Sequence, residues 1–272
     1  MPELPEVETI KSQLSNFLPL EIKKISFSDK TSRLIKQKDF TPKSGESIIE
    51  ISRKGKFLIF KLDNPDHFMI SHLGMSGSWR ITDSRLDEID GKHAHIIIET
   101  NKKVLSYIDP RRFGHLYFLN KKNFETKLNS YPMDISEPGF DAEHIYNIFQ
   151  NNPNKVLKTF LLDQKNFSGV GNYIASEICA RAKLLPTRIV GPLTKKDCKN
   201  IKAAIDLIIL GAVKTQGTTF GGGYRDAFGE KGEGVQHLVV FHQKICQMCK
   251  KTPIIKITIG GRGTYYCPHC QK

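Results

Sequence analysis

Four cysteines near the C-terminus constrain the fold more than any other feature of this 272-residue chain. Cys246 and Cys249 form one pair, Cys267 and Cys270 another, and 17 residues separate the pairs. Two thiolates three positions apart fit one knuckle of a tetrahedral zinc site, and two knuckles complete a four-thiolate shell. Such a shell leaves no open coordination position, so the single Zn2+ it implies is structural. The stretch from Lys250 to Tyr266 carries an alternating run and a Gly260-Gly261-Arg262-Gly263 turn, which reads as a β-hairpin. Disulfides are the rival use of these thiols, and nothing in the sequence suggests an oxidising compartment. Cys179 and Cys198 lie in helical patterns and read as inert thiols.

The other end of the chain carries chemistry. It begins Met-Pro-Glu-Leu-Pro-Glu-Val-Glu. Once Met1 is removed, Pro2 is the N-terminus, and its secondary amine is a nucleophile unlike any side chain. An exposed α-amino group has a pKa near ~8, so part of it is neutral at physiological pH. Its attack on an aldehyde-like sugar carbon gives an iminium, which carries positive charge without needing a proton. Glu3 stands beside it to move a proton, and Glu6 is placed to orient or sense the substrate. The structural alternative is a rigid lead-in to a helix. Pro5 then sits near the first helical position, followed by Val7, Ile10, Leu14 and Phe17 at helical spacing. With Met1 attached, Pro2 is an amide nitrogen and cannot attack, so the active protein is expected to begin at Pro2.

The formal net charge is +13, from 41 Lys+Arg against 28 Asp+Glu. Such an excess suits a polyanionic partner, and Glu230 to Lys272 holds 7 Lys/Arg against 2 Asp/Glu. No run approaches the ~18 apolar residues needed to span a membrane. The acidic start is not a secretory signal, so a cytoplasmic address without a membrane partner is expected.

Between the two ends the pattern changes once. Ile22–Phe27, Ile48–Ser52, Phe57–Leu62, His67–Leu73, Ala94–Glu99, Val104–Ile108 and His115–Leu119 read as short strands, enough for a β-sandwich. Helical periodicity follows over Ala142–Phe149, Val156–Asp163, Asn172–Ala182 and Lys195–Val213. A segment from Gly217 to Gly234 then carries seven glycines and reads as a linker or a substrate-capture loop.

These features together resemble the formamidopyrimidine-DNA glycosylase family of bifunctional base-excision enzymes, over essentially the whole chain. The resemblance rests on MPELPEVET at the start, SRKGKFL (Ser52–Leu58), SHLGMSGSWR (Ser71–Arg80) and KHAH (Lys92–His95). It continues through DPRRFG (Asp109–Gly114), LLDQ (Leu161–Gln164), GVGNYIASE (Gly169–Glu177), QGTT (Gln216–Thr219) and the GRGTYYCPHCQK tail. It implies an α+β fold: an N-terminal β-sandwich catalytic domain with flanking helices over residues 1–130, a helix–two-turns–helix DNA-binding module over 131–236 containing the glycine-rich loop 217–234, and a zinc-ribbon hairpin over 237–272. It further implies a monomer acting on double-stranded DNA that contains oxidised purines or abasic sites.

The resemblance also implies roles. Pro2 attacks C1′ of the damaged nucleotide, and Glu3 is the general acid at the sugar. Lys56, in SRKGKFL, assists β-elimination and contacts phosphate. Arg262, five residues before Cys267, reaches the phosphates beside the lesion and supports δ-elimination. Met75, Arg111 and Phe113 match residues that fill the space of the extruded base, as chemistry on a base requires. His93, Arg111, Asn172 and Lys158 match DNA-backbone contacts. His95 reads more readily as a buried strand histidine. Two departures stand out: the cysteine pairs are 17 residues apart where 16 is common in the family, and GGGYRDAFGEKGEG differs from its best-known capture loops. Excision of 8-oxoguanine and formamidopyrimidines with β,δ-elimination is the expected activity. The alternatives are an oxidised-pyrimidine glycosylase of the endonuclease VIII branch, against which Leu4 in PELPE speaks, and a non-catalytic lesion-binding relative.

Overall fold

The computed structural model describes residues 2–86, 91–219 and 224–272. Met1 and residues 220–223 of the glycine-rich loop lie outside the described residues. The chain forms two compact units, Met1–Tyr131 with Thr215–Glu233, and Pro132–Lys214 with Gly234–Lys272.

The first unit begins with α1 (Leu4–Ser15) and continues through β1 (Leu20–Phe27), β2 (Ile35–Lys38), β3 (Ser47–Lys54), β4 (Phe57–Leu62) and β5 (Phe68–His72). Next come β6 (Ser78–Thr82), β7 (Ala94–Thr100), β8 (Val104–Ile108), β9 (His115–Leu119) and α2 (Lys121–Asn129). The sheet order is β2-β9-β5-β4-β3-β1-β7-β8-β6. β1 is the pivot. Leu20 and Glu21 pair with β3, whereas Ile22 to Phe27 pair with β7 across a register shift between Ile22 and Lys24. The expected sandwich is therefore one nine-stranded sheet folded on itself at β1, its two halves sharing a core. Phe60 meets Trp79 across it at 5.2 Å between ring centroids, and Phe27 meets Phe118 at 5.9 Å. Val7, Ile10 and Leu14 of α1 are fully buried in the same core. Burying each such side chain contributes ~1.5–3 kcal/mol, which fixes the helix and the residues leading into it.

The glycine-rich segment packs with this sheet unit rather than with the helical module in which the sequence places it. Its described residues are held by specific bonds. Gln13 of α1 donates to Asp226 at 2.7 Å and accepts from Ala227 N–H at 2.8 Å, and Ala227 carbonyl accepts from Ile81 N–H at 2.9 Å. The segment thus covers the open edge of β6, where unpaired strand amides need acceptors.

The second unit contains α3 (Ala142–Gln150), α4 (Leu157–Leu161), α5 (Asn172–Arg181), α6 (Lys195–Lys214) and the hairpin β10 (Ile255–Ile259) with β11 (Arg262–Tyr266). Phe140, Phe149, Phe160 and Phe167 make an aromatic core with centroid separations of 5.5 to 6.0 Å. Glu177 of α5 is fully buried and accepts from the amides of Val239, Val240 and Phe241 at 2.8 to 2.9 Å. It ties the chain entering the zinc hairpin to α5.

Candidate active site

Glu3 is the last residue before α1, with extended backbone (φ −104°, ψ −172°). Its N–H donates to Glu6 Oε2 at 2.8 Å, the reciprocal arrangement that satisfies a free amide at a helix start. The other oxygen, Oε1, accepts from Thr218 N–H at 2.8 Å, and Tyr224 hydroxyl donates to Glu6 carbonyl at 3.3 Å. Both glutamates are buried. Glu6 therefore pins the chain terminus with one oxygen and the glycine-rich segment with the other. These bonds are to protein amides at the chain terminus and in the glycine-rich segment.

Pro2, Met75, Ser76, Ser78, Arg111 and Tyr224 are among the residues lining one cavity of about 360 Å³. Two loops build one side of it, and Asp109, which the sequence reading passed over inside DPRRFG, joins them. Its fully buried carboxylate accepts from Ser76 Oγ at 2.6 Å and from Gly114 N–H at 2.8 Å. Gly74 has φ +63°, and a Cβ there would lie 2.5 Å from Phe113 carbonyl carbon, so only glycine lets the loops touch. Met75 and Phe113 remain 37% and 48% exposed beside this junction, and the Arg111 guanidinium lies 4.7 Å over the Phe113 ring. From pattern alone both apolar residues read as core. The structure leaves both partly exposed on the two joined loops.

Lys56 follows Gly55 in the two-residue turn joining β3 to β4, because Lys54 pairs with Phe57. Arg53 secures the turn, donating to Gly55 carbonyl and to Glu8 of α1, each at 2.9 Å. Lys56 is buried, with His72 near enough for their charges to interact. His72 was missed from the sequence, although it stands in SHLGMSGSWR. Its Nδ1 accepts from Gly74 N–H at 3.2 Å, so the neutral ring carries its proton on Nε2. Burial, then the charges of Lys56 and His115, hold its pKa down to about 4 from the ordinary 6.5. The folded state disfavours the protonated ring. Stability from this group is fully present above about pH 6.5 and is lost as pH falls toward about 4. At 1.36 kcal/mol per pKa unit, about 2 kcal/mol disappears between about pH 7 and pH 5. Urea unfolding at those two pH values is expected to show that much less acid sensitivity in His72→Gln than in the wild type. Equal sensitivities would count against this assignment.

His93 is half-buried, and its carbonyl accepts from Asp109 N–H at 3.0 Å. His95 is buried on β7, its two ring nitrogens 2.9 Å from Ser28 Oγ and 3.1 Å from Asp109 carbonyl, as a strand histidine should be. In the second unit, Asn172 opens α5 and its Nδ2 donates to Gly263 carbonyl at 2.9 Å, next to Arg262. Arg262 is exposed at the hairpin tip. Lys158 does not present its charge to solvent, contrary to the expectation of a DNA-backbone contact. It is 0% exposed, and its Nζ donates to Asn172 carbonyl and Ser176 Oγ, both at 2.7 Å. A buried ammonium must spend its donors on protein acceptors, so this lysine positions the start of α5 instead.

The four thiols of Cys246, Cys249, Cys267 and Cys270 have all their Sγ atoms within 4.8 Å of one another. Cys246 and Cys270 are 3.9 Å apart, as are Cys249 and Cys267. A tetrahedron with Zn–S of ~2.3 Å has edges of ~3.8 Å, whereas a disulfide needs ~2.05 Å. The donor set fits one structural zinc. The hairpin above it closes through Gly260 and Gly261, with φ +56° and +71°, the two left-handed residues a tight hairpin turn requires. Ile255 to Ile259 pair with Tyr266 to Arg262 without a register shift, so the 17-residue spacing introduces no bulge into the strands.

Three family models match in order: the formamidopyrimidine-DNA glycosylase N-terminal domain over residues 1–116, the formamidopyrimidine-DNA glycosylase H2TH domain over 133–222, and the zinc finger found in FPG and IleRS over 246–272. The formamidopyrimidine-DNA glycosylases of Syntrophomonas wolfei and Pasteurella multocida are 35% and 37% identical, with 100% of each chain covered. MutM in complex with carbocyclic 8-oxo-G containing DNA superposes with a TM-score of 0.85 at 28% identity, covering 100% of both chains. The Lactococcus lactis Fpg complex with abasic-site DNA gives 0.86 at 27%, also over 100% of both. By sequence over its full length and by the folds of its units, this chain belongs to the formamidopyrimidine-DNA glycosylase family.

Proposed function

We propose that this protein is a bifunctional DNA glycosylase and abasic-site lyase of base excision repair. Its substrates are oxidised purines, 8-oxoguanine and formamidopyrimidines, in duplex DNA. The observation that carries the reading is the placement of Pro2 in a cavity wall beside the Met75 and Arg111 loops, with Glu3 pinned next to it.

With Met1 removed, the Pro2 nitrogen attacks C1′. The C1′–base bond breaks, and the base leaves with a proton. Glu3 protonates the ring oxygen O4′, the sugar opens, and Pro2 is left as an iminium on C1′. Loss of a C2′ proton to a base then expels the 3′ phosphate, and a second elimination expels the 5′ phosphate. The Lys56 and Arg262 cations suit the phosphates that depart in these two steps. Met75, Arg111 and Phe113 fill the gap left by the everted nucleotide. His93, Arg111 and Asn172 hold the backbone, and the +13 net charge makes binding salt-dependent. Zinc supplies no chemistry here; it holds the hairpin that presents Arg262. Among the described residues no helix is long and apolar enough to cross a membrane. The enzyme works as a monomer on cytoplasmic DNA.

Borohydride trapping on a duplex with 8-oxoguanine opposite cytosine tests the reading. A covalent protein–DNA band is the expected result. No band, with binding intact, would make the protein a lesion-binding relative without the chemistry.

A further inference from the structure

An ion pair joins the two elements that carry Pro2 and Lys56. Glu8 lies on α1, which starts directly after Pro2 and Glu3, and Arg53 lies at the end of β3, three residues before Lys56. Both belong to the sheet unit. Arg53 Nε donates to Glu8 Oε2 at 2.9 Å, and its Nη1 donates to Gly55 carbonyl, also at 2.9 Å. The arginine side chain is only 8% exposed. Lys11 donates to the other Glu8 oxygen. Burial pushes the Glu8 carboxyl up, but the bonds from Lys11 and Arg53 outweigh it and hold it below the ordinary 4.5. Glu8 is therefore ionised at neutral pH, and the pair is a charged one.

The geometry says what the pair holds. Gly55 and Lys56 make up the whole turn between β3 and β4, and the strand ladder ends at the Lys54–Phe57 pair. Gly55 has φ +56°, the left-handed geometry that suits glycine at the first central place of a tight hairpin turn. Its carbonyl belongs to the same planar peptide as the Lys56 N–H. By holding that oxygen, Arg53 sets the plane from which Lys56 departs. By holding Glu8, it refers that plane to the helix whose first turn is bonded to Glu3. A planar guanidinium presents both donors in one rigid fork, so a single side chain keeps the two bonds in fixed relation.

Pro2 and Lys56 act in succession on one nucleotide, at C1′ and at the departing phosphate. Their separation has to be held, since a misplacement of ~1 Å can cost on the order of 10²-fold in rate. Resting on the lyase reading above, we propose that Arg53 is a positioning residue for strand cleavage, fixing Lys56 relative to the helix that carries Pro2 and Glu3 by clasping Glu8 and the Gly55 carbonyl together.

The test uses a duplex with an abasic site opposite cytosine and reads three quantities: single-turnover strand cleavage, the borohydride-trapped band, and urea unfolding. Arg53→Met is expected to cleave roughly 10- to 100-fold more slowly while still giving the trapped band, because Pro2 and Glu3 stay on α1. Arg53→Lys keeps a cation for Glu8 but has no fork to reach the Gly55 carbonyl as well. It should recover most of the stability lost in the methionine variant and little of the cleavage. In a Lys56→Ala background, Arg53→Met should add almost no further loss, because the arginine acts through the lysine. Additive losses in the double variant would overturn the proposal. So would a lysine variant that regains cleavage in step with stability, which would make the pair a structural one. A trapped band that falls in parallel with cleavage would place the defect in the whole site rather than at Lys56, with the same consequence. A wild type that neither traps nor cleaves would instead remove the lyase reading itself.

Discussion

Glu3→Gln is expected to lose base excision by ~10²–10⁴-fold, the usual contribution of a positioned proton donor, and Pro2→Gly to lose the trapped covalent band or reduce it sharply. The substitutions separate two parts of one reaction. Glycine leaves a primary amine at the terminus, so a weak residual imine is compatible with the mechanism, whereas a full-strength band is not. Glutamine keeps the volume of Glu3 and the backbone N–H that donates to Glu6. The helix start should therefore stay in place while the proton is lost. DNA binding, measured alongside by gel shift, should change little in either variant. Mass spectrometry of the active protein should show Pro2 as the first residue, because an amide nitrogen cannot form an iminium. Full activity in protein that retains Met1 would end the proline mechanism.

Removal of zinc is the second large effect. Cys249→Ser, or treatment with a strong chelator, should abolish strand cleavage and unfold the hairpin from Cys246 onward. Structural zinc in isolated finger peptides contributes ~10–16 kcal/mol, more than such a hairpin retains without it. The four Sγ atoms already lie within 4.8 Å of one another, so the ligands are gathered for one ion. The hairpin is also coupled to the rest of its unit. Gly263 accepts from Asn172, and a Cβ at Gly260 would lie 2.9 Å from the Thr159 methyl, so the tip sits closely against α4. Losing the metal should therefore release Arg262 and the Asn172 contact together. Elemental analysis should give one zinc per chain in the wild type and none in the variant. Full cleavage by zinc-free protein would show that the hairpin contributes nothing to the reaction.

The elements legible in the sequence share one property: their pattern is set by burial on a regular period. The seven strands and four helices read from periodicity are all present, with ends shifted by a few residues. Among the described strands and α-helices, three were not legible. β2 is only Ile35–Lys38, with mostly polar residues, and it pairs in parallel with β9 at the sheet edge. β6 is the opposite edge, completed by a backbone bond from Ile81 N–H to Ala227 carbonyl that no local pattern announces. α2 buries no residue fully and lays Phe124 and Leu128 on a small outer cluster.

Spacing determined the zinc site, because ligands three apart on a knuckle are a local matter and the metal's tetrahedron does the rest. Residue identity at the terminus carries the proposed chemistry, because a proline followed by a glutamate is legible without the fold. Tertiary structure alone decided which charges face outward. Lys158 and Arg262 are both single cations next to a turn, yet one is spent on buried acceptors and the other stands at a hairpin tip. It also decided that Asp109 and Glu6 are the joints of the site, and that the glycine-rich segment belongs to the sheet unit. Glu6 and Thr218 are 212 positions apart, and Gln13 and Asp226 are 213 apart. A hydrogen bond between such partners leaves no trace in local periodicity, since it depends on where the folded core brings two distant backbones together.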